Sequence, residues 1–124
     1  MRYALDANVC ILLLTGHPKV VARIEQCDVG DLAISSVAFG EIAIGIARGK
    51  PPALEQLDAL VNRVVTLLPF DEAAARCYAL LPFKRGSFDR LIAAHAIAAG
   101  LILVTANEAD FADIPGLRVE NWTI

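Results

Sequence analysis

Hydrophobic residues follow two rhythms along this chain. Short unbroken apolar runs occur at Tyr3 to Leu5, Leu32 to Ile34, Val64 to Leu68 and Leu101 to Val104. Runs of that length and continuity are expected of strands buried on both faces of a parallel sheet. Between them, apolar positions recur at helical spacing. The spacing predicts helices over Val9 to Thr15, Lys19 to Cys27, the segment from Ser35 or Ser36 to about Arg48, Ala53 to Arg63, Glu72 to Leu81 and Ser87 to Ala99. A short helix follows over Asn107 to Ala112, and Leu117 to Glu120 forms a last, edge strand. The breaks agree with these elements. Gly16 and Pro18, then Gly49 to Pro52, stop helices; Asp71 is placed to cap one, and Gly100 to end another. Strands alternating with helices predict an α/β fold in three layers, α/β/α, around a central mostly parallel sheet of four or five strands.

Composition narrows this picture. The 124 residues fit one domain, 1–124. Apolar residues make up 56%, high for a soluble protein, yet no stretch approaches the ~20 apolar residues of a membrane span. The start does not read as a signal peptide, because Asp6 and Asn8 interrupt it, and the expected location is cytoplasmic. Cys10, Cys27 and Cys77 are scattered, which argues against a zinc site or disulfide framework and for small buried hydrophobes. The net charge of −3 carries no basic nucleic-acid signature, although a cluster of metal-binding acids would itself add negative charge. The apolar excess points to faces covered by a twin subunit or another partner.

Three acids then stand out by their surroundings. Asp6 ends the first apolar run, where an open α/β sheet binds its ligands, although the same position suits a plain helix cap. Glu41 is the only ionisable residue before Arg48 in a segment apolar nearly all round, the pattern of a buried helix. Its neighbours one turn away, Val37, Ala38, Ile44 and Gly45, offer no base, so a tertiary partner, a metal or solvent has to meet its charge. Asp89 lies in a first helical turn, where the helix dipole favours it, but shares a face with Ala93, Ala96 and Gly100. His95 lies about 120° round the helix from Asp89 and reads as a packing residue. Beyond the clearest strand come Thr105, Asn107 and Asp110; Asn107 could equally cap a helix, and Asp110 could be a surface acid. Converging carboxylates suit Mg²⁺ or Mn²⁺, which activates water and stabilises charge on a phosphate without histidine, cysteine or serine. Lys84, Arg85 and Arg48 are candidates for phosphate contact or simply solvated charge.

These pieces, in order, resemble the PIN-domain family and, within it, the VapC-type toxins of prokaryotic toxin–antitoxin pairs. The matching stretches are Leu5 to Asn8, Ile34-Ser35-Ser36 leading to Glu41, Phe88 to Ala96, Leu103 to Phe111 and Pro115 to Trp122. The resemblance covers essentially the whole chain. It implies a PIN-like fold and a metal-dependent endoribonuclease that hydrolyses RNA phosphodiester bonds. Asp6, Glu41 and Asp89 match the three acidic positions, and Asn107 or Asp110 the variable fourth. Asp110 is counted with the catalytic acids, while Asn107, Asp110 and Thr105 are the supporting groups that would orient water or ligand. The resemblance also implies a homodimer and a cognate VapB-type antitoxin whose tail lies near the active site. Two departures stand out: Ala7 replaces the usual threonine, and Asn107 stands where an acid is common, so one tightly held ion is expected.

Two other classes compete. A PIN-fold interaction module without turnover would share every pattern above. A phosphoacceptor signalling domain needs paired acids after the first strand and a late lysine; here Asp6 stands alone and no lysine follows Lys84. A dinucleotide-binding domain would need a G-x-G-x-x-G loop, which is absent.

Overall fold

The computed structural model describes residues 1–124. Its elements run β1 (Tyr3–Leu5), α1 (Ala7–Leu14), α2 (Pro18–Glu25), β2 (Leu32–Ser35), α3 (Ser36–Ala47), α4 (Leu54–Arg63), β3 (Thr66–Leu68), α5 (Glu72–Ala79), α6 (Phe88–Ala99), β4 (Ile102–Val104) and β5 (Val119–Glu120), with a single 3₁₀ turn at Glu108–Phe111. Every strand pairing is parallel, in the order β3-β2-β1-β4-β5. The expected sheet is therefore present with five strands and β5 at one edge. Its central strands are buried throughout, as their unbroken apolar sequences require: Leu5, Ile34, Leu103 and Val104 are fully enclosed.

The strand order matters more than the strand count. The chain moves from β1 to β2 to β3 in one direction, then jumps back across β1 to β4 and β5. Right-handed crossovers consequently put the helices joining β1, β2 and β3 on one face and α5 and α6 on the other. The reversal falls between β1 and β4, and a crevice opens at that point beyond the carboxyl ends of the strands. Register fixes which residues meet there. Leu5 pairs with Ile34 and Val104, so Ser35, Asp6 and Thr105 form one row at the sheet's carboxyl edge.

Local departures from the sequence reading have simple causes. Helix α1 starts at Ala7 rather than Val9, because the Asp6 side chain caps it directly and Asn8 already lies inside the helix, exposed. Strand β3 begins at Thr66, since Val64 and Val65 still return N–H bonds to the Leu60 carbonyl at the end of α4. The last helix shrinks to one 3₁₀ turn, and β5 to two residues. Helix α3 is not buried all round. Only Ala38 and Ile42 are enclosed, Phe39 and Ala43 are half-covered and Ile44 is 49% exposed. Of the cysteines only Cys10 is buried. No helix is long and apolar enough to cross a membrane.

Candidate metal centre

Asp6 is built into the switch-point crevice by its backbone. Its N–H donates to the Val104 carbonyl at 3.0 Å, which extends the β1–β4 ladder by one step. Its Oδ1 accepts the Val9 N–H at 2.8 Å as the N-cap of α1. The carboxyl is 5% exposed. Burial pushes its pKa up; the Thr105 hydroxyl and the Val9 N–H oppose that shift, and the charge of Asp89 adds to it. Thr105, fully buried, accepts the Asn107 N–H on its Oγ1 at 3.0 Å, which leaves the hydroxyl proton free for the Asp6 carboxylate.

Glu41 lies in the second turn of α3. That helix starts immediately after β2, capped by the Ser35 hydroxyl, which accepts the Val37 N–H at 3.2 Å. Glu41 Oε1 is buried and has no hydrogen-bond partner. Burial, then the charges of Asp89 and Asp6, push its pKa up to about 7. The sequence argument that Glu41 lacks a local base therefore survives, although the helix around it is half-covered.

Asp89 sits in the first turn of α6, half-buried. Burial and the charge of Asp110 raise its pKa, while Lys84 and Arg90 pull it down. Asp6, Glu41, Asp89 and Asp110 thus feel one another across four separate segments: the end of β1, α3, α6 and the 3₁₀ turn. Asp110 and Asn107 are exposed at the crevice rim, and the Asn107 side chain makes no cap bond. Arg48 is not brought to this edge. It ends α3 seven residues beyond Glu41, about 10 Å further along the axis, and is exposed.

The donor set suits a hard divalent cation. It is all oxygen, it is acidic, and it includes a buried carboxylate oxygen that nothing in the protein satisfies. No three of these side chains close to within shared coordination distance by themselves.

Two flanking contacts were not read from sequence. His95 is buried against Ser35, with Nδ1 2.7 Å from the Ser35 hydroxyl, and its ring meets Phe70 edge-on at 5.5 Å between centroids. Burial lowers its pKa against the pull of Asp71, and the ring packs against Ser35 and Phe70, as the helical geometry predicted. The contact ties the cap of α3, which carries Glu41, to α6, which carries Asp89. Ser35→Ala removes both the cap and the histidine's partner, so a loss of about 2 kcal/mol of stability is expected in urea unfolding. Arg90 is buried and grips Asp113 through both carboxylate oxygens at 2.9 and 3.0 Å. Its guanidinium holds the Asp113 carboxyl below the usual range. No sequence pattern marked this pair, whose members lie 23 positions apart.

Residues 3–117 match the PIN domain family. Over 132 aligned residues, covering 99% of each chain, the sequence is 32% identical to the tRNA(fMet)-specific endonuclease VapC of Shigella flexneri. It is also 32% identical to ribonuclease VapC2 of Rickettsia felis over 133 residues, 98% of each chain. Among solved structures, VapBC2 of Rickettsia felis bound to a DNA fragment from its promoter superposes with a TM-score of 0.85 at 30% identity, covering 98% of this chain and 99% of that one. The chain belongs to the PIN domain family.

Proposed function

We propose that this protein is a ribonuclease toxin of the VapC kind that cuts RNA phosphodiester bonds with the help of Mg²⁺ or Mn²⁺ and is held inactive by a VapB-type antitoxin. The relatives aligned over nearly its full length are named as RNA-cutting VapC enzymes, and the superposed Rickettsia structure is a VapB–VapC assembly on promoter DNA. Action in the cytoplasm, as a homodimer, belongs to the same reading. The observation that carries the metal site is the orphaned Glu41 Oε1, buried beside the charges of Asp6 and Asp89 at the sheet's switch point.

In this reading Asp6, Glu41 and Asp89 hold the cation. Held there, a divalent ion would supply positive charge to the scissile phosphate and would lower the pKa of a bound water. Each protein group then has a task. Thr105 steadies the Asp6 carboxylate by hydrogen bonding, beside the Val9 N–H that Oδ1 accepts. Asp110, whose charge acts on Asp89, is the better candidate for the fourth acidic position; Asn107 is left to orient water or substrate as a neutral donor. With the neutral Asn107 standing where an acid is common, a single tightly held ion fits better than two.

Metal removal tests this reading directly. Antitoxin-free protein should cleave RNA with Mn²⁺ and lose that activity in EDTA, and Mn²⁺ should raise its melting temperature. RNA that stays intact under both conditions, with no thermal response, would identify a PIN-fold interaction module without turnover.

A further inference from the structure

The loop between α5 and α6 has a composition that the core does not explain. Leu80 and Phe83 are 83% and 80% exposed, and Phe88 at the start of α6 is 51% exposed. None of the three joins the hydrophobic core. Between them, Lys84 and Arg85 take part in no ion pair. The chain then turns at Gly86, whose φ of +72° only glycine adopts without strain, and enters α6 one residue before Asp89. Gly86 lies three residues before Asp89 in the first turn of α6, and the Lys84 charge acts on Asp89, so this loop adjoins the acidic crevice.

Charge narrows what it can hold. The protein carries a net charge of −3, which repels a polyanion overall, so attraction to one has to be local. Two unpaired cations beside an exposed aromatic ring form the pattern that grips single strands: phosphates meet the cations and a base stacks on the ring. A duplex presents its phosphates but not its base faces. A protein partner would rest on the apolar side chains, and loss of antitoxin binding alone in a Phe83 variant would mark that occupant.

We propose that the 80–88 loop is a stacking platform for single-stranded RNA, with Phe83 stacking one base and Lys84 and Arg85 holding the adjoining phosphates next to the cleavage site. The inference rests on the ribonuclease reading but is tested without cleavage. The probe is a short fluorescein-labelled RNA, single-stranded or annealed to its complement, titrated in EDTA with the antitoxin-free protein. Single strands should bind more tightly than the duplex. Phe83→Ala should weaken single-strand binding roughly tenfold, and Phe83→Tyr should restore it. The Lys84→Gln/Arg85→Gln pair should flatten the slope of log affinity against log salt by about 1.4. Phe83 is exposed, so an unchanged melting temperature is expected in each variant. Equal affinity of Phe83→Ala for the single strand overturns the platform, as does equal binding of duplex. So does an effect of Phe83→Ala on antitoxin binding or self-association alone. The two readings fail separately. Binding through Phe83 without Mn²⁺-dependent cutting sinks the nuclease and keeps the platform. Cutting with unchanged affinity in Phe83→Ala does the reverse.

Discussion

Replacing Asp6 with asparagine should leave the protein folded and lower RNA cleavage by more than roughly 100-fold. Under the proposed function the loss exceeds what altering an outer-shell partner of a metal site causes, because a carboxylate proposed to touch the metal loses its charge. The fold survives because Asp6 has two separable jobs. As the cap of α1 it accepts one N–H, from Val9, and asparagine does that about as well. As a proposed ligand it must carry charge, which asparagine lacks. Asp6→Ala removes both functions and should add about 1 kcal/mol of destabilisation to the same loss of cleavage. Activity assays read against urea melts of the two variants separate the roles. Full cleavage by Asp6→Asn would end the metal-ligand account of this residue.

Glu41→Gln should make the metal-free protein more stable at pH 8 while removing cleavage by a similar factor. Burial beside Asp89 and Asp6 raises the folded-state pKa of Glu41 from 4.5 to about 7. The folded state therefore binds this proton more tightly than the unfolded chain does. The stability that the proton confers is complete below pH 4.5 and declines as pH rises, until it is gone above about 7. Glu41 remains half-accessible, so solvent screening cuts the effect to ~1 kcal/mol. Glutamine carries no such charge. Its metal-free melting temperature should exceed that of the wild type by a few degrees at pH 8, and the gap should close towards pH 4. With Mn²⁺ present the order should reverse, because only the wild type gains from the cation. Equal melting curves at pH 8, with or without metal, would mean that Glu41 bears no functional strain.

The centre of the sheet was legible because β1, β2 and β4 are largely buried and read as short apolar runs. Leu101 to Val104 was the clearest of them, and β4 lies at the sheet's switch point. Helix α3 was legible as a helix but not in its burial. Its sequence is apolar on every side, and sequence cannot distinguish a helix enclosed by its own fold from one left half-open, as Ile44 is here. Asp6 was ambiguous for a physical reason: a carboxylate has two oxygens, and the cap on α1 uses only Oδ1. Glu41 was the best-read residue, since a carboxylate with no base within one turn needs something from outside its helix. Contacts between distant segments stayed hidden. The Ser35–His95 bond joins residues 60 positions apart, and Arg90 meets Asp113 across 23; neither pair leaves a periodic trace.

The central claim is that Asp6, Glu41 and Asp89 share one divalent cation at the carboxyl edge of β1 and β4. Anomalous diffraction from crystals of the antitoxin-free protein soaked in Mn²⁺ tests it most directly. The account predicts one strong peak enclosed by those three carboxylates, with Glu41 Oε1 among its contacts. A peak elsewhere on the protein, or none in crystals of a protein that still cuts RNA, would contradict it.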